Sequence, residues 1–212
     1  MCGRYYIGGD GSEKLRAILE ELNRRDPKQG AKVHMGEIFP SQLAPVLVAK
    51  EGTCTVRAMN WGFPRGGGHG LVINSRSEKA DETPMFQKAV RERRCLVPMS
   101  GFYEWRRTPS GGKTKEKFAF TLAEGKQGEL MYLAGVYGEF VGGFAGGGFD
   151  GFAILTREAD EQMAPYHNRM PVILREEGLK KAWLFSQFPY AELRRQFAVP
   201  QLDCKAVAAL EL

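Results

Sequence analysis

Between residues 43 and 156 the chain is cut repeatedly into short apolar runs separated by turn residues. LAPVLVAK and TCTVRAMNW are joined by the turn EGT, and LVIN follows the loop PRGGGHG. CLVPMSGFYEW and KFAFTL are separated by TPSGGKTKEK, and MYLAGVYGEF and GFAILT by GGFAGGG. Runs of this length, rich in β-branched and aromatic residues and bounded by glycine, predict strands. Helical periodicity lies mostly outside them. SEKLRAILEELNRR places Leu15, Ile18, Leu19 and Leu22 on one face behind a Ser12 cap. TPMFQKAVRERR predicts a helix with Thr83 as cap and Pro84 at its first position. HNRMPVIL reads as a strand, and LKKAWLF and YAELRRQF as amphipathic helices. Strands in the middle with helices around them predict an α+β fold with a largely antiparallel, barrel-like sheet.

The 212 residues suit one domain, 1–212, with no internal repeat and no linker, and can bury a real core. No run approaches the ~20 apolar residues of a membrane span, and the start MCGRYYIGGDGSEK lacks a signal peptide's apolar stretch. These features predict a cytoplasmic protein without a membrane partner, nucleoid-associated if the source is bacterial. No coiled-coil seam is visible, so a monomer is expected. Cys2, Cys54, Cys95 and Cys204 form no C-x-x-C pair, which argues against a structural zinc site and against a disulfide framework. No metal or cofactor is expected. Cys54 and Cys95 read as core thiols among strand residues. The net charge of +5 is compatible with a nucleic-acid partner, as it is with many others.

Several residues carry chemistry. In MCGRYY, removal of Met1 would leave Cys2 with a free α-amine and a thiol on adjacent carbons, a 1,2-aminothiol that no internal cysteine offers. The plainer reading makes Cys2 a small, semi-buried start to a strand. His167 in PYHNRMPVIL has an unperturbed pKa near 6.5, suited to moving protons, and Arg169 two residues on would share its strand face. In GFYEW, Phe102 and Glu104 face one way and Tyr103 and Trp105 the other; desolvation would raise the Glu104 pKa and make it a usable acid or base. Asn74, Arg76 and Glu78 alternate in INSRSE, a polar face or an ordinary strand end. Trp61 in MNWGFP is a core residue or a stacking platform, and Pro40 in EIFPSQ is a turn residue. GGKT at 111–114 lacks the upstream glycine of a phosphate loop, position 107 being Arg, and reads as a hairpin turn.

Taken in order, MCGRY, EIFPSQ, MNWGF, INSRSE with TPMF, RCLVPMSGFYEW, AILT and HNRMPVIL resemble the SOS-response-associated peptidase (SRAP) family, from residue 2 to about residue 175. The resemblance implies a barrel-like β core with flanking helices and a role in shielding abasic sites in single-stranded DNA. It implies Cys2 as covalent nucleophile with Asn74, Glu104 and His167 as catalytic neighbours. It further implies Arg4, Arg76 and Arg169 as phosphate contacts, Trp61, Trp105 and Pro40 as stacking or wedge contacts, and Thr156 in the site.

The aminothiol then has a task. An abasic sugar opens to an aldehyde, the Cys2 amine forms a Schiff base with it, and the thiol closes a thiazolidine ring. A free α-amine of pKa ~7.7–8.0 is partly unprotonated at neutral pH. Neighbouring cations such as Arg4 would lower both amine and thiol. Two other readings stay open on the sequence. One is a thiol peptidase or N-terminal-nucleophile hydrolase acting on amides, including its own Met1. The other is a non-covalent reader of single-stranded DNA. Replication-associated partners are not legible.

Overall fold

A computed structural model describes residues 2–8, 12–66, 70–107, 115–123, 125, 128–141, 148–185 and 188–207. The turn at 108–114, with its GGKT string, and the glycine-rich stretch 142–147 lie outside the described residues. The first strands are β1 (Tyr5–Ile7), β2 (Gly36–Ile38), β3 (Leu43–Lys50), β4 (Thr53–Trp61), β5 (Phe63–Pro64), β6 (Leu71–Val72) and β7 (Asn74–Arg76). They are followed by β8 (Arg94–Met99), β9 (Gly101–Arg107), β10 (Lys115–Leu122), β11 (Met131–Phe140), β12 (Phe149–Glu158), β13 (Arg169–Pro171) and β14 (Leu202–Ala206). The helices are α1 (Glu13–Arg25), α2 (Pro27–Gly30), α3 (Pro84–Gln87), α4 (Ala89–Glu92), α5 (Glu177–Phe185) and α6 (Tyr190–Arg195).

The core is a closed barrel. β3 pairs with β4 and β8, β11 with β8 and β12, and β12 with β4, so the ring has no free edge. Every pairing in the ring is antiparallel except β4–β12, where Asn60 and Trp61 meet Gly151 and Phe152. Closure depends on Gly151: a Cβ there would lie 2.5 Å from the Gly62 carbonyl oxygen. The β3–β4 hairpin turns through Glu51 and Gly52 at φ 51° and 76°, the left-handed pair that matches strand twist in a two-residue loop.

A second sheet, ordered β14-β10-β9-β1-β2, packs against the barrel. The chain passes from one to the other between β8 and β9, where the Ser100 N–H donates to the Tyr6 carbonyl at 2.9 Å. Tyr5, Ile7, Phe102 and Phe120 from the second sheet join Met59, Trp61, Val97 and Phe152 from the barrel in one fully buried core. On the outer side of the barrel, Leu96, Val136 and Leu155 pack against Trp183 of α5 and Leu193 of α6. Helix α1 lays Leu22 over Val56 and Ala58 of β4, with Ser12 capping its first turn through Leu15 N–H at 3.3 Å.

The α+β, barrel-like reading therefore holds, with local corrections. TPMFQKAVRERR forms two short helical turns, and Thr83 Oγ1 donates back to the Lys79 carbonyl rather than capping. HNRMPVIL contributes only a three-residue strand, so His167 precedes β13 instead of sharing its face with Arg169. Cys95 is buried, but Cys54, at the exposed start of β4, is not a core thiol. No helix among the described residues is long and apolar enough to cross a membrane.

Candidate active site and nucleic-acid interface

The short strand β1 brings the amino-terminal residues to β9. Tyr5 is opposite Phe102, and the Tyr103 N–H donates to the Arg4 carbonyl at 2.9 Å. Continuing this antiparallel register carries Cys2 to the level of Glu104 and Trp105. Cys2 is fully buried. Its carbonyl accepts from Asn74 Nδ2 at 2.9 Å, which ties the start of the chain to β7. Asn74 is itself buried, and its Oδ1 is a buried acceptor with no donor among the described residues.

Glu104 alternates with Tyr103 and Trp105 as the strand period requires, and its side chain is buried while theirs are half-exposed. Burial holds its carboxyl above the ordinary 4.5, with the positive charge of the amino terminus acting against that rise. The Cys2 thiol is pushed far above the ordinary thiol range, first by burial and then by the Glu104 charge. The expectation that cations would lower the thiol is thus reversed. Arg4 instead pairs with Glu37 at 3.0 Å, and burial dominates at the sulfur.

His167 lines the same cleft as Glu104. Its Nδ1 accepts the Arg169 N–H at 2.9 Å, so the neutral ring carries its proton on Nε2. Burial, the amino-terminal charge and the Arg169 charge lower its pKa below 6.5, leaving it neutral at physiological pH. Glu104, Trp105, Arg106, Lys115, Pro165, Tyr166 and His167 line one open cleft of about 600 Å³. The arrangement offers a raised acid and a neutral imidazole lining one cleft, with the buried Cys2 sulfur under the influence of the acid. No group of three or more His, Cys, Asp or Glu among the described residues could hold a metal ion.

The remaining predicted residues divide. Trp105 is half-exposed and lines the cleft. Arg76 is exposed at the end of β7. Asn74, Arg76 and Glu78 do not form one polar face, since Asn74 is buried and Glu78 lies past the strand. Arg169 is held by Glu78 in a two-pronged ion pair of 3.0 and 2.7 Å and also donates to the Thr156 carbonyl at 2.7 Å. Thr156 is fully buried, its Oγ1 donating to the Ser75 carbonyl at 3.3 Å. Trp61 is a correction: it is fully buried, edge-on to Tyr5, with Nε1 donating to the Ile73 carbonyl at 3.0 Å, and offers no face to a base. Pro40 lines a different cleft with Leu71 and Ile73. Sequence reasoning missed Tyr166, which adjoins His167, and the roles of Glu37 and Glu78 as arginine partners. The two carboxylates stand inside quoted motifs, but only the fold pairs them.

Residues 1–210 match the protein family described as SOS response associated peptidase (SRAP). The chain is 36% identical over 189 residues to the abasic site processing protein YoaM of Bacillus subtilis, covering 87% of this chain and 79% of that protein. It is 29% identical over 190 residues to YoqW of the same organism, also an abasic site processing protein, covering 87% of this chain and 80% of that one. A crystal structure of a Bacteroides thetaiotaomicron protein superposes with a TM-score of 0.77 at 18% identity, over 98% of this chain and 92% of the other.

Proposed function

The chain belongs to the SOS-response-associated peptidase (SRAP) family, and from that premise we propose that it processes abasic sites in single-stranded DNA by covalent capture through Cys2. The observation that carries the reading is that Asn74 Nδ2 holds the Cys2 carbonyl at 2.9 Å and the Glu104 charge acts on the buried Cys2 thiol, while Glu104 and His167 line one cleft. The names of the relatives, abasic site processing proteins, supply the substrate class.

While Met1 is attached, the Cys2 nitrogen is an amide and cannot act as a nucleophile. Once Met1 is removed, the free amine attacks C1′ of the ring-opened sugar. The carbinolamine that forms loses one water to give an imine. The Cys2 sulfur then bonds to the imine carbon while the thiol proton passes to nitrogen, closing the thiazolidine. Overall the adduct is the des-Met protein plus DNA minus one water.

Each neighbour has a step. Asn74 Oδ1, a buried acceptor with no donor among the described residues, orients the amine hydrogens. Glu104, whose proton affinity is raised by burial, protonates the departing hydroxyl and takes protons back from amine and thiol. Neutral His167 donates from Nε2 to the sugar ring oxygen during opening. The high proton affinity of the thiol means that sulfur reacts after proton transfer to a neighbour, not as a standing thiolate.

The test is intact mass after mixing des-Met protein with a single-stranded oligonucleotide bearing one abasic site. A heat-stable species of the stated mass, absent from Cys2→Ala, is the expected result. A heat-stable adduct from Cys2→Ala would overturn the thiazolidine.

A second reading, hydrolysis of the Met1–Cys2 amide by the same centre, is favoured by one observation. The amino-terminal charge acts on both Glu104 and His167. Protein expressed without methionine aminopeptidase activity should then still lose Met1, and should keep it in Glu104→Gln.

A further inference from the structure

The outer face of the second sheet carries a row of side chains that the capture chemistry leaves unused. Arg4 just before β1, Tyr6 on β1, Tyr103 and Trp105 on β9, and Lys117 on β10 point away from the buried Tyr5, Phe102 and Phe118. The Arg4 guanidinium lies 3.7 Å from the centre of the exposed Phe39 ring and 5.8 Å from that of Trp105. Lys117 Nζ lies 5.8 Å from Trp105 and 3.8 Å from Tyr103, whose ring centre is 5.1 Å from that of Tyr6. Across the sheet the order is Phe39, Arg4, Trp105, Lys117, Tyr103, Tyr6, aromatic planes with cations set between them. Glu37 binds both cations, Arg4 at 3.0 Å and Lys117 at 2.7 Å. Tyr6 lies flat on the sheet because its cross-strand neighbour is glycine: a Cβ at Gly101 would come within 2.5 Å of the ring.

We propose that this ladder seats the single-stranded DNA flanking the abasic nucleotide, with bases on Tyr103 and Tyr6, phosphates on Lys117 and Arg4, and Glu37 holding both cations when DNA is absent. The proposal rests on the DNA reading of the cleft and extends it to a surface. Trp105 supplies the continuity, since it is both a rung of the ladder and a wall of the cleft. The chemistry supplies the fit. Aromatic faces take any base and cations take the backbone, which gives grip without sequence preference. Lys205, opposite Ala119 on the same face, carries positive charge further along the sheet. An incoming phosphate replaces the Glu37 carboxylate at two cations already placed, so little side-chain ordering remains to be done on binding.

The test measures anisotropy of labelled oligothymidylate, short and long, without an abasic site. Tyr103→Leu keeps an apolar side chain but removes the ring, and is expected to weaken binding about tenfold. Lys117→Gln should weaken binding and reduce the slope of log affinity against log salt by about 0.7. Glu37→Gln should tighten binding, because the neutral amide no longer competes with phosphate. Thermal melts of the three variants confirm folding. Intact-DNA affinity equal to wild type in all three folded variants would overturn the ladder, even with the adduct forming normally. Altered affinities with no wild-type adduct would uphold the ladder and sink the covalent reading instead.

Discussion

The thiol of Cys2 and the carboxyl of Glu104 are both raised first by removal from water, and the Glu104 charge raises the thiol further. Burying the Glu104 carboxylate therefore carries a stability cost at neutral pH. Its folded pKa lies above 4.5, so the folded state holds this proton more tightly than the unfolded chain does. The associated stability is present below pH 4.5 and is lost as pH rises through the folded value. Glu104→Gln should accordingly be more stable than wild type at neutral pH, with the gap closing toward pH 4, as read from denaturation midpoints across that range. A gap independent of pH would contradict the assignment. Among the arginines, local spacing shows the charges but not their partners. Arg4 and Arg169 look like free phosphate contacts in MCGRY and HNRMP. The fold pairs them with Glu37 and Glu78, from EIFPSQ and INSRSE, and leaves Arg76 exposed.

Elements that sustain their own periodicity are legible; those that depend on a distant partner are not. Helix α1 declares itself by four apolar residues on one face and a serine cap, and the structure places Ser12 as read. Ser12→Ala should cost about 1 kcal/mol. For a chain of this size that lowers the melting temperature by about 2–4 °C in a calorimetric scan. An unchanged melt would mean that α1 is held by Leu15 and Leu22 packing alone. The β3–β4 hairpin is equally clear, two alternating runs around a two-residue turn. By contrast β1, β2, β7 and β13 have three residues each and no periodicity to detect. β1 exists because β9 and β2 flank it, and it is the element that delivers Cys2. The stretch after His167 reads as a longer strand than it forms for a related reason. HNRMPVIL is apolar enough to be one, but the ladder with β12 begins only at Arg169.

At the scale of the whole molecule, closure of the barrel and the packing of the second sheet against it decide where the chemistry sits. The ring closes at the short parallel contact between β4 and β12, where the strands approach over Gly151 and Gly62. Gly151→Ala would place a methyl group 2.5 Å from a backbone oxygen that cannot rotate away. A loss of about 1–3 kcal/mol is expected in urea denaturation. A neutral outcome would show that the closure is slack. The sequence by itself determined the strand-rich α+β class, the first helix, the main hairpin and the position of Cys2 directly behind Met1. These follow from local period, turn residues and covalent structure, which need no partner. Only the tertiary structure decided that Trp61 is core, that Cys2 is buried with a raised thiol, and that Glu37 and Glu78 hold two arginines. Burial and charge pairing are properties of neighbours brought together from distant parts of the chain, and no local pattern encodes which neighbours those will be.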